Sequence, residues 1–266
     1  MSSKEKTMEL VKDSSSKKGL SLNILMLIAM LSLLAYHGGI RYGSLHEISF
    51  YDFPYILLAV NGIFLPLMAF AAVEIYHHTK SLPQFLLELL ILGAVSCIPF
   101  LLAMHNPKLY HIPEVFGIIL GLSAIHLRRS EAKVWVKALV FPLLILISLL
   151  VGLGFPFLVF MMIFDYFYGN PRYQRAGVVI LCVGIGTLEL FTRPLQYIIY
   201  GEYPDLNSFW HTTIASLYQD AHALSYIIAI ILLLFYRGNI GNQKLKWVFY
   251  IFYPLHLVLL LLLMPS

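Results

Sequence analysis

The chain reads as all-α: a polytopic transmembrane helix bundle of about nine helices, with its amino terminus in the cytoplasm and its carboxyl terminus outside. Three observations predict this. Of 266 residues, 59% are hydrophobic and 12% are charged, and the mean hydropathy is +0.79. A soluble domain is about 45–50% apolar and about 25% charged, so this much apolar surface calls for lipid as solvent. Apolar runs close to the ~20 residues that cross ~30 Å of hydrocarbon recur from end to end. Finally, the positive charge lies on one side. Of 18 Lys and Arg, 15 fall in the amino-terminal tail, in loops on its side, or within a turn of them: Lys4, Lys6, Lys12, Lys17, Lys18, Lys80, Arg128, Arg129, Lys133, Lys137, Arg172, Arg175, Arg237, Lys244 and Lys246. Arg41 and Lys108 fall opposite, and Arg193 lies inside a helix. Positive charge is retained in the cytoplasm, which sets the orientation; a wrong helix count would scramble the alternation.

The elements follow in order. Residues 1–19 are polar and rich in Lys, and are expected to be a flexible cytoplasmic tail. The run Leu20–Ile40 is too long for a signal-peptide core and has no small-x-small cleavage site, so it reads as an uncleaved first helix. Further helices are expected near 53–77, 83–104, 112–127, 134–153, 155–168, 176–200, 212–236 and 245–264. The fourth and sixth are short. Only Gly152, Gly154 and Pro156 divide the fifth from the sixth, and a merged or re-entrant pair there would make the count eight or ten. Tyr166, Phe167 and Tyr168, like Tyr197 and Tyr200, sit at the depth that amphipathic rings favour. Residues 20–264 thus form one transmembrane helical domain. The outer loop, about 41–52, is too short to fold alone, so any chemistry must lie among the helices or at their ends.

Several classes drop out. A net charge of +4 and a pI of about 8.9 come from loop residues and not from a basic stripe, so no nucleic-acid partner is expected. Cys97 and Cys182 fall in apolar runs and read as buried small hydrophobes. There is no HExxH, GxSxG, Walker loop or GxGxxG, and no metal site is expected. Gly117 and Gly121 read as a site of close helix packing.

Ionisable groups inside a membrane are costly, and they usually face a cavity, a partner or a substrate. Here they are His37, Glu74, Glu88, Glu114, Asp165, Glu189, Arg193, Asp220, His222 and His256. Glu189 and Arg193 are four apart and can pair on one helix face. Asp220 and His222, two apart, cannot face each other on a helix. His37 stands alone in its apolar run, with Gly38 and Gly39 beside it allowing close backbone approach. A neutral imidazole there can exchange protons or act as a nucleophile, or simply reach the outer surface. His256 lies deeper in the last helix, two residues after Pro254, which frees a backbone carbonyl.

Four segments carry a resemblance. The stretch Lys246-Trp247-Val248-Phe249-Tyr250-Ile251-Phe252-Tyr253-Pro254-Leu255-His256-Leu257 resembles the carboxyl-terminal signature of the TraX family. Phe64-Leu65-Pro66-Leu67-Met68-Ala69-Phe70, followed by Glu74 and His78-Thr79, is similar to that family's Phe-Pro-Leu-Phe-Ala-Phe stretch with its later Glu and His-Thr. Ser96-Cys97-Ile98-Pro99-Phe100 is similar to its Ser-x-x-Pro-Phe, and the first helix with His37 to a helix ending in Asp-His. The resemblance runs in order over most of 20–263. It departs at Tyr36, which stands where an Asp would orient the imidazole, and near Asn61-Gly62, where the family has an Arg suited to a CoA phosphate. Arg193 or the pair Arg128-Arg129 would stand in for that Arg.

The resemblance implies a multi-pass protein of the bacterial inner membrane that serves pilus or fimbria biogenesis. One branch of the family serves conjugation and N-acetylates pilin, and the family looks like a distant cousin of transmembrane acyltransferases that use a first-helix histidine. For this chain it implies an acetyltransferase taking acetyl-CoA, with His37 as the acyl-transfer base or acceptor. Glu74, His256, Arg193, Glu189 and Tyr36 would line the substrate pocket, with the pilin or fimbrial subunit and membrane lipid as partners. The alternative is a non-enzymatic assembly factor that binds pilin in the membrane. A transporter fits less well, since no inverted repeat is visible.

Overall fold

A computed structural model describes residues 19–45, 57, 60–104, 112–151, 154–184, 221–241 and 246–263. Among these, helices are α1 (Leu22–Leu45), α2 (Asn61–His78), α3 (Leu82–Ala103), α4 (Val115–Arg129), α5 (Val134–Ser148), α6 (Gly154–Tyr166), α8 (Ala221–Leu234) and α9 (Lys246–Leu263). A further helix, α7, occupies residues 171–184. That makes nine helical segments among the described residues, as the apolar runs predict, and the fifth and sixth stay separate. The expected tail apart from Gly19, most of the loop 41–52, Lys108, Glu189, Arg193, Tyr197, Tyr200 and Asp220 lie outside the described residues, as does the side chain of His222.

The hydrophobic pattern explains the arrangement. In α2 every residue from Phe64 to Glu74 is buried. A helix apolar all round belongs in the middle of a bundle, and α2 packs on α1, α6 and α8. α5 buries only Ser148, whereas most of the other helices bury one stripe. On α1 it runs Leu22, Leu25, Met26, Ala29, Met30, Leu33, His37 and Arg41, the three-and-four spacing of a helix face. On α9 it runs Phe249, Tyr253, His256, Leu257 and Leu260. α3 packs between α4 and α9. α4 also lies close to α6, because a side chain at Gly121 would collide with Met161; the small residue sets the spacing.

Helix ends are made by ordinary means. Ser81 caps α3, its hydroxyl accepting from the Gln84 amide at 3.4 Å. Lys137, in the first turn of α5, donates to the last carbonyls around α4, Arg128 O at 3.0 Å and Ser130 O at 2.8 Å. The apolar pattern did not predict a short parallel pair of strands, β1 (Leu20–Ser21) and β2 (Tyr236–Asn239). It straps the start of α1 to the end of α8.

The helix α3 and the Leu22–Tyr42 part of α1 are long and apolar enough to cross a membrane; α5, α6, Ser225–Leu234 and Trp247–Leu263 are apolar but shorter. Many large apolar side chains point outward, among them Val134, Trp135, Leu139 and Ile180. Cys97 and Cys182 are free thiols, only half-buried.

Candidate functional site

The polar residues on the buried stripes of α1 and α9 meet. His37 and His256 are each 1% exposed. Their rings lie nearly parallel, 4° apart in plane. His37 Nδ1 sits 2.9 Å from His256 Nε2, and His37 Nε2 sits 3.0 Å from Glu114 Oε1. Glu114 is the residue just before α4. Its second carboxylate oxygen accepts from the Tyr253 hydroxyl, and that hydroxyl in turn accepts from the Glu114 backbone N–H at 3.0 Å. At the far end, His256 Nδ1 lies 3.1 Å from the Phe252 carbonyl.

Counting protons defines the chemistry. A carbonyl only accepts, so His256 Nδ1 carries a hydrogen. The His37–His256 contact joins two ring nitrogens and needs one proton between them. The His37–Glu114 contact needs another. Three protons over two imidazoles and one carboxyl group is one more than two neutral rings and a carboxylate hold. The trio therefore holds three protons and is electrically neutral overall. That is how ionisable groups are tolerated in a dry interior. Opening the His37–His256 contact would present a base on one ring and an acid on the other.

The surroundings fix this line. Phe100 of α3 sets its ring edge against His37, with centroids 5.9 Å apart, and Phe252 stacks on His256. Arg41, one turn beyond His37, is buried and donates to the Ala103 carbonyl at 3.5 Å. Tyr36 is half-buried, and its ring contacts His37.

A second polar cluster sits at the other end of the bundle. Asp165 on α6 accepts from Arg128 and Arg129 at the end of α4, with Arg128 Nε at 3.1 Å and Arg129 Nε at 2.9 Å. His77 Nε2 lies 2.9 Å from the same carboxylate, and Tyr168 stacks on the His77 ring. Glu74 stands near this cluster and not near His37. Its carboxylate lies 3.9 Å from His78. Arg128 and Arg129, expected as stand-ins for a phosphate-binding Arg, are thus paired with Asp165 while their side chains stay partly exposed.

Of the residues singled out from the sequence, the structure brings together His37, His256 and Tyr36. It holds Glu74 at the opposite end. Arg193 and Glu189 lie outside the described residues. Sequence reasoning missed Glu114 and Tyr253 as site residues. Glu114 had a signal, as one of the few acids among apolar runs, and Tyr253 lies inside the Phe-Tyr-Pro-Leu-His stretch. The acid that Tyr36 fails to supply beside His37 comes instead from Glu114.

Comparison with known proteins adds the family. A family model described as TraX protein matches residues 21–264. No curated protein and no solved structure matches the chain.

Proposed function

The chain belongs to the TraX family, and on that premise we propose that it is a multi-pass inner-membrane acyltransferase of pilus or fimbria biogenesis that acetylates pilin subunits. The observation that carries this reading is the buried, hydrogen-bonded Glu114–His37–His256 line. The chemistry it suits is transfer from a thioester. The acceptor amine attacks the thioester carbonyl, a C–N bond forms and the C–S bond breaks. One ring takes the proton from the amine, the other gives its proton to the departing thiolate, and the line ends as it began. Glu114 and Tyr253 hold His37 in one orientation, as a carboxylate does in a hydrolase triad. The tail and the basic loops are on the cytoplasmic side in this reading, and acetyl-CoA enters from there as a substrate. His37 is 15 residues along α1 from Leu22, about 22 Å at 1.5 Å per residue. The thioester arm must therefore run deep between the helices.

One observation favours a non-enzymatic assembly factor as the second reading. Both rings are 1% exposed and each of their nitrogens already has a hydrogen-bond partner. The same network would then serve to shape a pilin-binding cavity.

The two readings part in a complemented deletion strain, by intact mass of pilin and by surface piliation. His37→Ala should abolish modification, and because it strands the Glu114 carboxylate in a dry interior it should also lower stability, so membrane abundance is measured beside it. His37→Gln should fail too, because Gln hydrogen-bonds but relays no proton. His256→Ala should have a partial effect. Full modification and piliation with His37→Ala would leave only the assembly role.

A further inference from the structure

We propose that the cavity at the α2–α6–α8 end of the bundle binds a phosphate ester that also offers a hydrogen-bond donor. The cavity is about 600 Å³, and Arg175, Arg237 and Glu74 all line it. The proposal does not depend on what His37 does.

The charge balance comes first. With Arg128 and Arg129 turned onto Asp165, Arg175 and Arg237 are the arginines of this cavity. Arg175 Nε donates to the Pro171 carbonyl at 2.9 Å, which anchors the guanidinium and uses one of its five donors. The remaining fork suits phosphate oxygens in a way that a lysine would not. Against two arginines stands one carboxylate, Glu74, with the Tyr168 ring beside it in the lining. The sum is positive at the rim and negative at one point inside. A simple anion would meet only the first; a phosphate ester with an amine or amino group nearby meets both.

The backbone is open in the same place. Gly169 and Gly238 line the cavity at φ +83° and +78°, and nothing lies within 4 Å of the position a Cβ would take at either. Phosphate oxygens can approach the main chain closely where side chains are missing. Pro171 begins α7 at the cavity wall, so the positive end of that helix adds to the field. Phe70, Phe164 and Leu233 supply an apolar wall for the rest of the ligand.

Two sources have this chemistry: the adenosine-phosphate head of CoA, and a lipid headgroup such as phosphatidylethanolamine. The full chain, purified in a neutral detergent, is titrated with CoA by calorimetry, and is separately examined by native mass spectrometry for retained phosphatidylethanolamine. The comparison is with Arg175→Gln/Arg237→Gln, and with Lys6→Gln/Lys133→Gln, which removes equal charge elsewhere. Wild type and the control pair should bind one of the two probes, and the arginine variant should bind it at least tenfold more weakly at an unchanged melting temperature. CoA binding alone assigns the nucleotide head; retained lipid alone assigns the headgroup. Glu74→Gln should weaken the same probe less than the arginine pair does. If neither probe binds wild type, or if the control pair loses as much as the arginine pair, the proposal is wrong.

Discussion

Glu114 and Asp165 are both carboxylates buried at helix ends, and each is held by several side chains, yet the two regions behave as different materials. The partners of Glu114 are themselves sealed: His37 is 1% exposed, and Tyr253 is 1% exposed. The partners of Asp165 are not, since the side chains of Arg128 and Arg129 are 29% and 40% exposed. One acid sits in a closed line that conserves its proton count. The other ties the ends of α4, α6 and α2 together with cations that still reach water. The lesson is that the burial of an acid says little by itself; what decides its role is whether its partners have a way out to solvent.

That contrast can be broken or sharpened in order of expected effect. Glu114→Ala should be the most damaging, lowering stability by about 3–5 kcal/mol, because it strands a ring N–H or a charge where water cannot follow. Glu114→Gln should cost less, since the amide still bonds His37. Thermal unfolding of the detergent-solubilised chain measures both, and a melt for Glu114→Ala like that of wild type would mean that the line is wet. Asp165→Ala should cost about 1–3 kcal/mol, because the two freed guanidinium groups can turn to solvent. Its cost should also shrink in 1 M salt, which screens exposed charge and leaves a dry line untouched. Arg129→Ala should cost least, under about 1 kcal/mol, because Arg128 still holds the carboxylate. An Arg128/Arg129 double-mutant cycle would then show each arginine covering for the other.

Much of this was legible in the sequence, for reasons visible residue by residue. Helix number and approximate place follow from apolar runs, because lipid demands about 20 such residues per crossing. His37 and His256 stand out because each interrupts such a run. That they touch is a tertiary fact, as is the Glu114 contact: residues 219 and 77 apart meet only through the packing of α1, α4 and α9. That Glu74 stands apart from His37 is likewise a matter of packing; it lies beside His78 and lines the cavity with Tyr168. β1 is two residues long and carries no periodicity to read.

The span of 219 residues between His37 and His256 also governs timing. A ribosome adds about 5–20 residues per second, so the first histidine waits roughly tens of seconds in the membrane before its counterpart is made. During that interval the nascent chain has no His37–His256 contact. A product cut short before α9 lacks His256 and Tyr253 altogether, so each molecule acquires its proton line only after α9 has been made.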